Sequence, residues 1–280
     1  MAPPQTPDLP TPSAPPPLEE AHEAEALPFI DRTQDPLIRL EGICKSFGKL
    51  KVLEDLHLSV WKGESVSLVG NSGTGKSILV KMLIGLAKPD RGRIFFEGRE
   101  ITSLREDGWM PLRKRISMVF QANALFDSFT VYENLAYPLR EHFAMPEAEI
   151  EQRVKQVLSW VNLPGIEKQV PSELSGGMRK RVGVARAIIT EPEVLLYDEP
   201  TAGLDPISTT VVDRMVRRFQ RQRGVTSIVI THDLKSALSV GDRVALLHQG
   251  RVWGVAEPDA ILHDPDPTIH DFFEGYRMML

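Results

Sequence analysis

Gly70-Asn71-Ser72-Gly73-Thr74-Gly75-Lys76-Ser77 has the spacing G-x-x-x-x-G-K-[ST]. Glycines at that spacing let a backbone wrap tightly, so that several N–H groups converge on phosphate oxygens. A lysine at the position of Lys76 reaches the outer phosphates as a point charge, and the hydroxyl at Ser77 is a Mg²⁺ ligand. The bland alternative is a chance glycine-rich turn. The flanks argue against it. Ser65-Val66-Ser67-Leu68-Val69 reads as a buried strand, and Leu79, Met82, Leu83 and Leu86 fall on one face of a following helix. The positive end of that helix would then face the phosphates.

Four further groups stand where chemistry is plausible. Asp198-Glu199 follows the apolar run Val194-Leu195-Leu196-Tyr197. Carboxylates at a strand end lie at the ligand-binding edge of an open α/β sheet. Asp198 would hold Mg²⁺ and Glu199 would polarise an attacking water. An Asp-Glu pair alone is often only a solvated turn, so its weight comes from the phosphate loop. Leu174-Ser175-Gly176-Gly177-Met178 precedes a helical stretch from Arg179 to Ile189. Ser175 and the N–H groups of Gly176 and Gly177 would form a second anion site, or Ser175 is an ordinary helix cap. His232, after Ser227-Ile228-Val229-Ile230-Thr231, could reach a terminal phosphate and the water, or be a plain surface histidine. Gln121, after Ser117-Met118-Val119-Phe120, could contact Mg²⁺ or the water through its amide.

The elements that must position these groups are legible in outline. Strands are expected at Leu37–Leu40, Lys51–Leu53, Leu56–Val60 and Arg93–Phe96, around the phosphate-loop unit. Residues from about 130 to 187 read as helical, broken at Pro146, Pro164 and Pro171. Val194–Tyr197 and Ser227–Ile230 are apolar runs suited to strands buried on both faces, with a helix from Ile207 to about Arg223 between them. The pattern is an α/β fold with a parallel sheet core, an N-terminal β subdomain and a helical insert at about 122–187.

Composition sets bounds. With 42% hydrophobic and 25% charged residues the 280-residue chain reads as soluble and globular. No run approaches the roughly 18–20 apolar residues of a membrane span, and no secretion signal opens the chain. Cys44 is the single cysteine, which rules out an internal disulfide and fits a reducing, cytoplasmic setting. It reads as a small buried residue on an early strand. Residues 1–36 are rich in proline and carry seven acids against Arg32 alone. They read as a disordered arm, and they hold the excess of negative charge. The near-neutral remainder gives no electrostatic case for nucleic acid.

Together these motifs resemble the ATP-binding-cassette (ABC) ATPases, over about residues 37–255. Gly70–Ser77, Gln121, Leu174–Met178, Asp198-Glu199, Gly203-Leu204-Asp205-Pro206 and His232 occur in that family's order. The resemblance implies a P-loop NTPase fold and a head-to-tail homodimer. Two ATP molecules would lie between the phosphate loop of one protomer and the Ser175–Gly177 segment of the other. Asp205 would contact the opposite protomer, and Phe47 would stack on adenine, although a strand-end core phenylalanine fits that position equally well. Ile78 departs from the threonine of many relatives. ATP rather than GTP is implied by the resemblance alone.

A narrower resemblance is to the cassette subunits of Mla/Mce-type phospholipid transporters. It rests on Arg113–Gln121, Ala124–Asp127, Glu133–Arg140, Met178–Arg181 and the tail from Asp264–Pro267 to Phe272–Gly275, within a C-terminal extension at 256–280. It implies a peripheral ATPase at the cytoplasmic face of the inner membrane. The partners would be a multi-pass permease, a membrane-anchored Mce-type lipid-binding protein and a small accessory subunit, with the cleft around residues 122–137 receiving the permease. Other expectations are a cassette for lipoprotein or amino-acid cargo, and a soluble cassette acting on nucleic acid or ribosomes. The single phosphate loop and the absence of a sustained heptad pattern argue against the last.

Overall fold

The structure is a computed structural model that describes residues 30–122 and 124–278. In chain order the elements are β1 (Ile38–Phe47), β2 (Leu50–Val60), β3 (Ser65–Val69), α1 (Lys76–Leu83), β4 (Arg91–Phe96), β5 (Arg99–Glu100), α2 (Glu106–Arg115) and β6 (Ile116–Val119). There follow α3 (Val131–His142), α4 (Glu147–Trp160) and α5 (Gly176–Ile188). The chain then runs through β7 (Val194–Asp198), α6 (Pro206–Arg223), β8 (Thr226–Ile230), α7 (Leu234–Val240), β9 (Arg243–His248), β10 (Arg251–Ala256), α8 (Pro258–Leu262) and α9 (Pro267–Arg277).

Two sheets result. One is antiparallel, in the order β2-β1-β4-β5. The other has the order β10-β9-β3-β8-β7-β6, parallel from β9 to β6 with β10 antiparallel at one edge. β3, β7 and β8 are buried at every residue, as runs covered on both faces must be. Period-two alternation then assigns the faces. Leu195, Tyr197 and Val229 join the core under α3, α4, α5 and α6. Val194, Leu196, Ile228 and Ile230 join the core shared with α1 and the antiparallel sheet.

Several expectations change in detail. The helix after the phosphate loop stops at Leu83, because the Leu86 N–H turns back to the Lys81 carbonyl at 2.8 Å. Leu86 is therefore 57% exposed instead of lying on the buried face. The two short strands at 51–60 are one, β2, bent at Asp55, whose φ is 55°. Cys44 is half-buried on β1, where its Sγ accepts the Asp55 N–H at 3.4 Å.

β2 is also gripped from two sides at the same short run. A methyl group at Gly75 would come within 2.7 Å of the Val52 and Leu53 side chains. One at Gly250 would come within 3.0 Å of the Val52 carbonyl and the Glu54 N–H. Both glycines also have positive φ, 99° and 78°, so any other residue would be strained at either position.

Of the arm expected over residues 1–36, residues 1–29 lie outside the described residues. Residues 30–36 are tied to the connection between β2 and β3. The Trp61 indole donates to the Gln34 carbonyl at 2.9 Å, and Arg32 donates to Glu64 at 3.1 Å. The Glu64 side chain is fully buried and also takes Arg243 through both oxygens, at 2.7 and 2.8 Å. Arg32→Ala should thus lower the thermal midpoint by about 2–4 °C, and a chain lacking residues 1–34 should lose a similar amount. Glu64→Ala should cost more than either, because it strands a guanidinium that has little access to water. Thermal melts of the three variants check this. An Arg32→Ala midpoint equal to wild type would show that the arm contact adds nothing.

Candidate active site

Parallel pairing lines up the carboxyl ends of β3, β8, β7 and β6 along one sheet edge, and chemistry follows each end. Gly70–Ser77 follows β3, His232 follows β8, Asp198-Glu199 closes β7 and Gln121 follows β6. Residues far apart in the chain become neighbours for this reason alone.

The phosphate loop passes straight into α1, with Gly75 as the residue before the helix at φ 99°. The first-turn N–H groups of α1 therefore point back at the loop. Asn71, Ser72 and Gly73 are exposed at its crest, Gly70 is buried at its root, and Thr74 Oγ1 donates to the Asn71 carbonyl at 2.9 Å. Lys76 is buried. Its ammonium donates to the carbonyls of Gly70 at 2.7 Å and Asn71 at 2.9 Å. Burial holds its pKa below the usual lysine value, while the Glu199 and Asp198 carboxylates pull the other way.

Ser77 Oγ donates to Asp198 Oδ1 at 2.8 Å across the two strand ends. A hydroxyl and a carboxylate side by side are hard oxygen donors. They suit a cation such as Mg²⁺, which takes one or two protein oxygens and keeps its waters. Among the described residues no group of three His, Cys, Asp or Glu converges to form a closed metal site.

Glu199 has φ 52°, a left-handed conformation that costs a non-glycine residue energy. The bend is fixed by its N–H, which donates to the Ile230 carbonyl at 2.9 Å, and it turns the side chain toward β8. There Glu199 Oε2 lies 2.7 Å from His232 Nδ1. His232 itself is largely exposed, as is the Gln121 side chain. The Glu199 carboxylate, with its imidazole partner, thus acts electrostatically on Lys76, and the Gln121 amide follows the neighbouring strand.

A second cluster forms at the N-termini of α5 and α6. Ser175 caps α5, its hydroxyl accepting the Met178 N–H at 3.2 Å. Asp205 caps α6, accepting the N–H groups of Ile207 and Ser208 at 3.0 Å each and the Ser208 hydroxyl at 2.6 Å. A methyl group on Gly177 would lie 3.3 Å from Ser208 Oγ, so the two helix ends abut. Ser175 and Gly176 are exposed. Among the described residues no hydrogen bond or ion pair joins this cluster to the phosphate loop within one chain. Phe47, 54% exposed at the end of β1, is no core residue, and the Lys45 ammonium lies 5.6 Å from its ring centre.

One residue of the Met178–Arg181 stretch, given no role of its own by the motifs, belongs to the site. Lys180 is buried and donates to the carbonyls of Gln121 and, at 3.5 Å, Glu199. The signal was present in the sequence. Lys180 lies on the stripe of Val184, Ala187 and Ile188, the buried face of α5, where an unpaired lysine is costly.

Comparison with known proteins gives the family. Residues 53–202 match the ABC transporter family model. A probable ribonucleotide transport ATP-binding protein, mkl, of Mycobacterium tuberculosis is 38% identical, over 86% of this chain and 67% of its own length. The intermembrane phospholipid transport system ATP-binding protein MlaF of Escherichia coli is 35% identical, over 85% of this chain and 89% of its own. Among solved structures, a dimeric ATP-binding cassette in a post-hydrolysis state with ADP and Pi superposes with a TM-score of 0.74. It is 29% identical and covers 79% of this chain and 98% of that one. The fold, the order of the strand-end groups and these relatives lead to one conclusion: the chain belongs to the ABC transporter ATPase family, as the ATP-hydrolysing subunit of a transporter.

Proposed function

We propose that this subunit hydrolyses ATP held on the Gly70–Ser77 loop, with Glu199 as the general base, and that its work moves phospholipid between membranes. The observation that supports the site assignment is the pairing of Ser77 with Asp198, at 2.8 Å, beside the pairing of Glu199 with His232, at 2.7 Å. Mg²⁺ held by Ser77, Asp198 and the Gln121 amide would supply charge neutralisation at the phosphates. Lys76 and the α1 N–H groups bind and orient the phosphates. Glu199 accepts the proton of the attacking water, while His232 keeps the carboxylate aimed and Gln121 stands exposed at the neighbouring strand end. Phe47 offers its exposed face to adenine.

The Ser175–Gly177 and Asp205 cluster has exposed helix N-terminal donors and no phosphate loop of its own to serve. In a head-to-tail homodimer it completes the partner's site. ABC cassettes dimerise and work with membrane permeases, and no helix among the described residues is long and apolar enough to cross a membrane. We place this one at the cytoplasmic face of the inner membrane. Its permease would be seated at residues 122–137, with a Mce-type lipid-binding protein and a small accessory subunit as further partners. The cargo reading rests on the likeness to the phospholipid-system protein. The ribonucleotide name of the mycobacterial relative is the competing outcome.

Glu199→Gln should bind ATP and hydrolyse it about 10²–10⁴-fold more slowly. Steady-state turnover measured beside analogue titration decides this, and turnover near wild type removes Glu199 as base. Gly177→Asp and Lys76→Ala should each be inactive, the first while still binding ATP. Mixed, they should regain activity through heterodimers with one intact composite site. A mixture as inactive as its parts, despite heterodimers detected by native mass spectrometry, speaks against the head-to-tail arrangement. In liposomes holding the copurified permease complex, labelled phospholipid should transfer with ATP and stop with Glu199→Gln. ATP-driven movement of labelled ribonucleotide without lipid transfer would replace the cargo assignment.

A further inference from the structure

Gln121 and Glu199 follow neighbouring parallel strands, and their carbonyl oxygens both turn toward α5. Two carbonyl dipoles converging in a buried place repel unless a donor lies between them. That donor is the Lys180 ammonium. The Glu199 carbonyl also accepts the Ala202 N–H at 3.2 Å, whereas Lys180 is the partner that the structure shows for the Gln121 carbonyl. A turn and a half further along α5, Arg186 donates to the Ala124 carbonyl, and its guanidinium lies 4.6 Å from the centre of the Phe126 ring. Ala124, like Glu199, has a left-handed backbone, with φ 49°. Helix α5, which begins at the Ser175 cap, thus holds the segment after Gln121 at two points and the base-bearing turn at one.

We propose that Lys180 is a positioning residue for hydrolysis, a three-way tie that makes the Gln121 segment, the Glu199 turn and helix α5 move as one body. The tie is made to backbone carbonyls from the buried face of α5. It acts by fixing the backbone from which the Glu199 carboxylate projects. Because α5 starts at the cluster assigned to the partner's nucleotide, closure there is transmitted rigidly to this protomer's own base and to the segment assigned to the permease. The inference rests on the proposed role of Glu199.

The test compares Lys180→Met, Lys180→Arg and Glu199→Gln in the full-length chain. Lys180→Met should lower kcat about 10²-fold and the thermal midpoint by a few degrees, about 2–4 °C, while leaving analogue affinity near wild type. Amide hydrogen exchange should quicken in the peptides spanning 121–126 and 199–203 and stay unchanged in α3 and α4. Lys180→Arg, which keeps a charged donor, should restore most of kcat. Wild-type kcat in Lys180→Met overturns the proposal and leaves the Glu199 assignment standing. A joint fall of kcat, affinity and midpoint that arginine does not rescue shows a folding role and also overturns it. Wild-type turnover in Glu199→Gln removes both readings.

Discussion

Parallel registration of β3, β8, β7 and β6 is the constraint on which the site depends. Asp198 pairs with Ile230 across β7 and β8, and the next N–H, that of Glu199, donates to the same Ile230 carbonyl. A one-residue slip of β7 would turn Asp198 away from Ser77 and drive Leu195 and Tyr197 into the opposite core. The apolar alternation of one strand therefore protects the position of the Asp198 carboxylate beside Ser77. Core packing and chemistry share the same five residues, so neither can change without the other.

The two helix-capping clusters obey a different logic. Ser175 and Asp205 each satisfy their own helix, so their placement needs no ligand and no partner. What remains exposed is backbone N–H and small side chains, a surface shaped for close approach. The head-to-tail reading assigns that surface to a second copy. It also gives α5 two tasks, presenting the cluster at its start and supporting Gln121 and Glu199 along its flank.

Much of this was legible from the chain alone. Phosphate-loop glycines, strand-end acids and helix caps depend on local backbone needs, which sequence spacing records directly. Buried runs such as Val194–Tyr197 and Ser227–Ile230 announce strands covered on both faces. Features set by long-range packing were not legible. The exposure of Phe47 and the pinning of Arg32 on Glu64 depend on residues that come together only in the fold, whereas the end of α1 at Leu83 is local and follows from Gly85, whose φ is 73°. Lys180 falls between these cases. Its position on a buried helix face is local information, but its acceptors are backbone carbonyls that follow β6 and β7, about which side-chain patterns are silent.

The grip on β2 bears on how the protein measures what it binds. Gly75 belongs to the phosphate loop, and Val52 and Leu53 belong to the sheet whose β1 ends in Phe47. Side-chain ends of Val52 and Leu53 crowd Gly75, and the β2 backbone crowds Gly250, so the two sheets meet closely at this point. The spacing between the end of β1 and the phosphate loop depends on that contact. In the proposed reading, with adenine on Phe47 and phosphates on the loop, that spacing would favour a ligand of matching length, and bulk added at either glycine would change it.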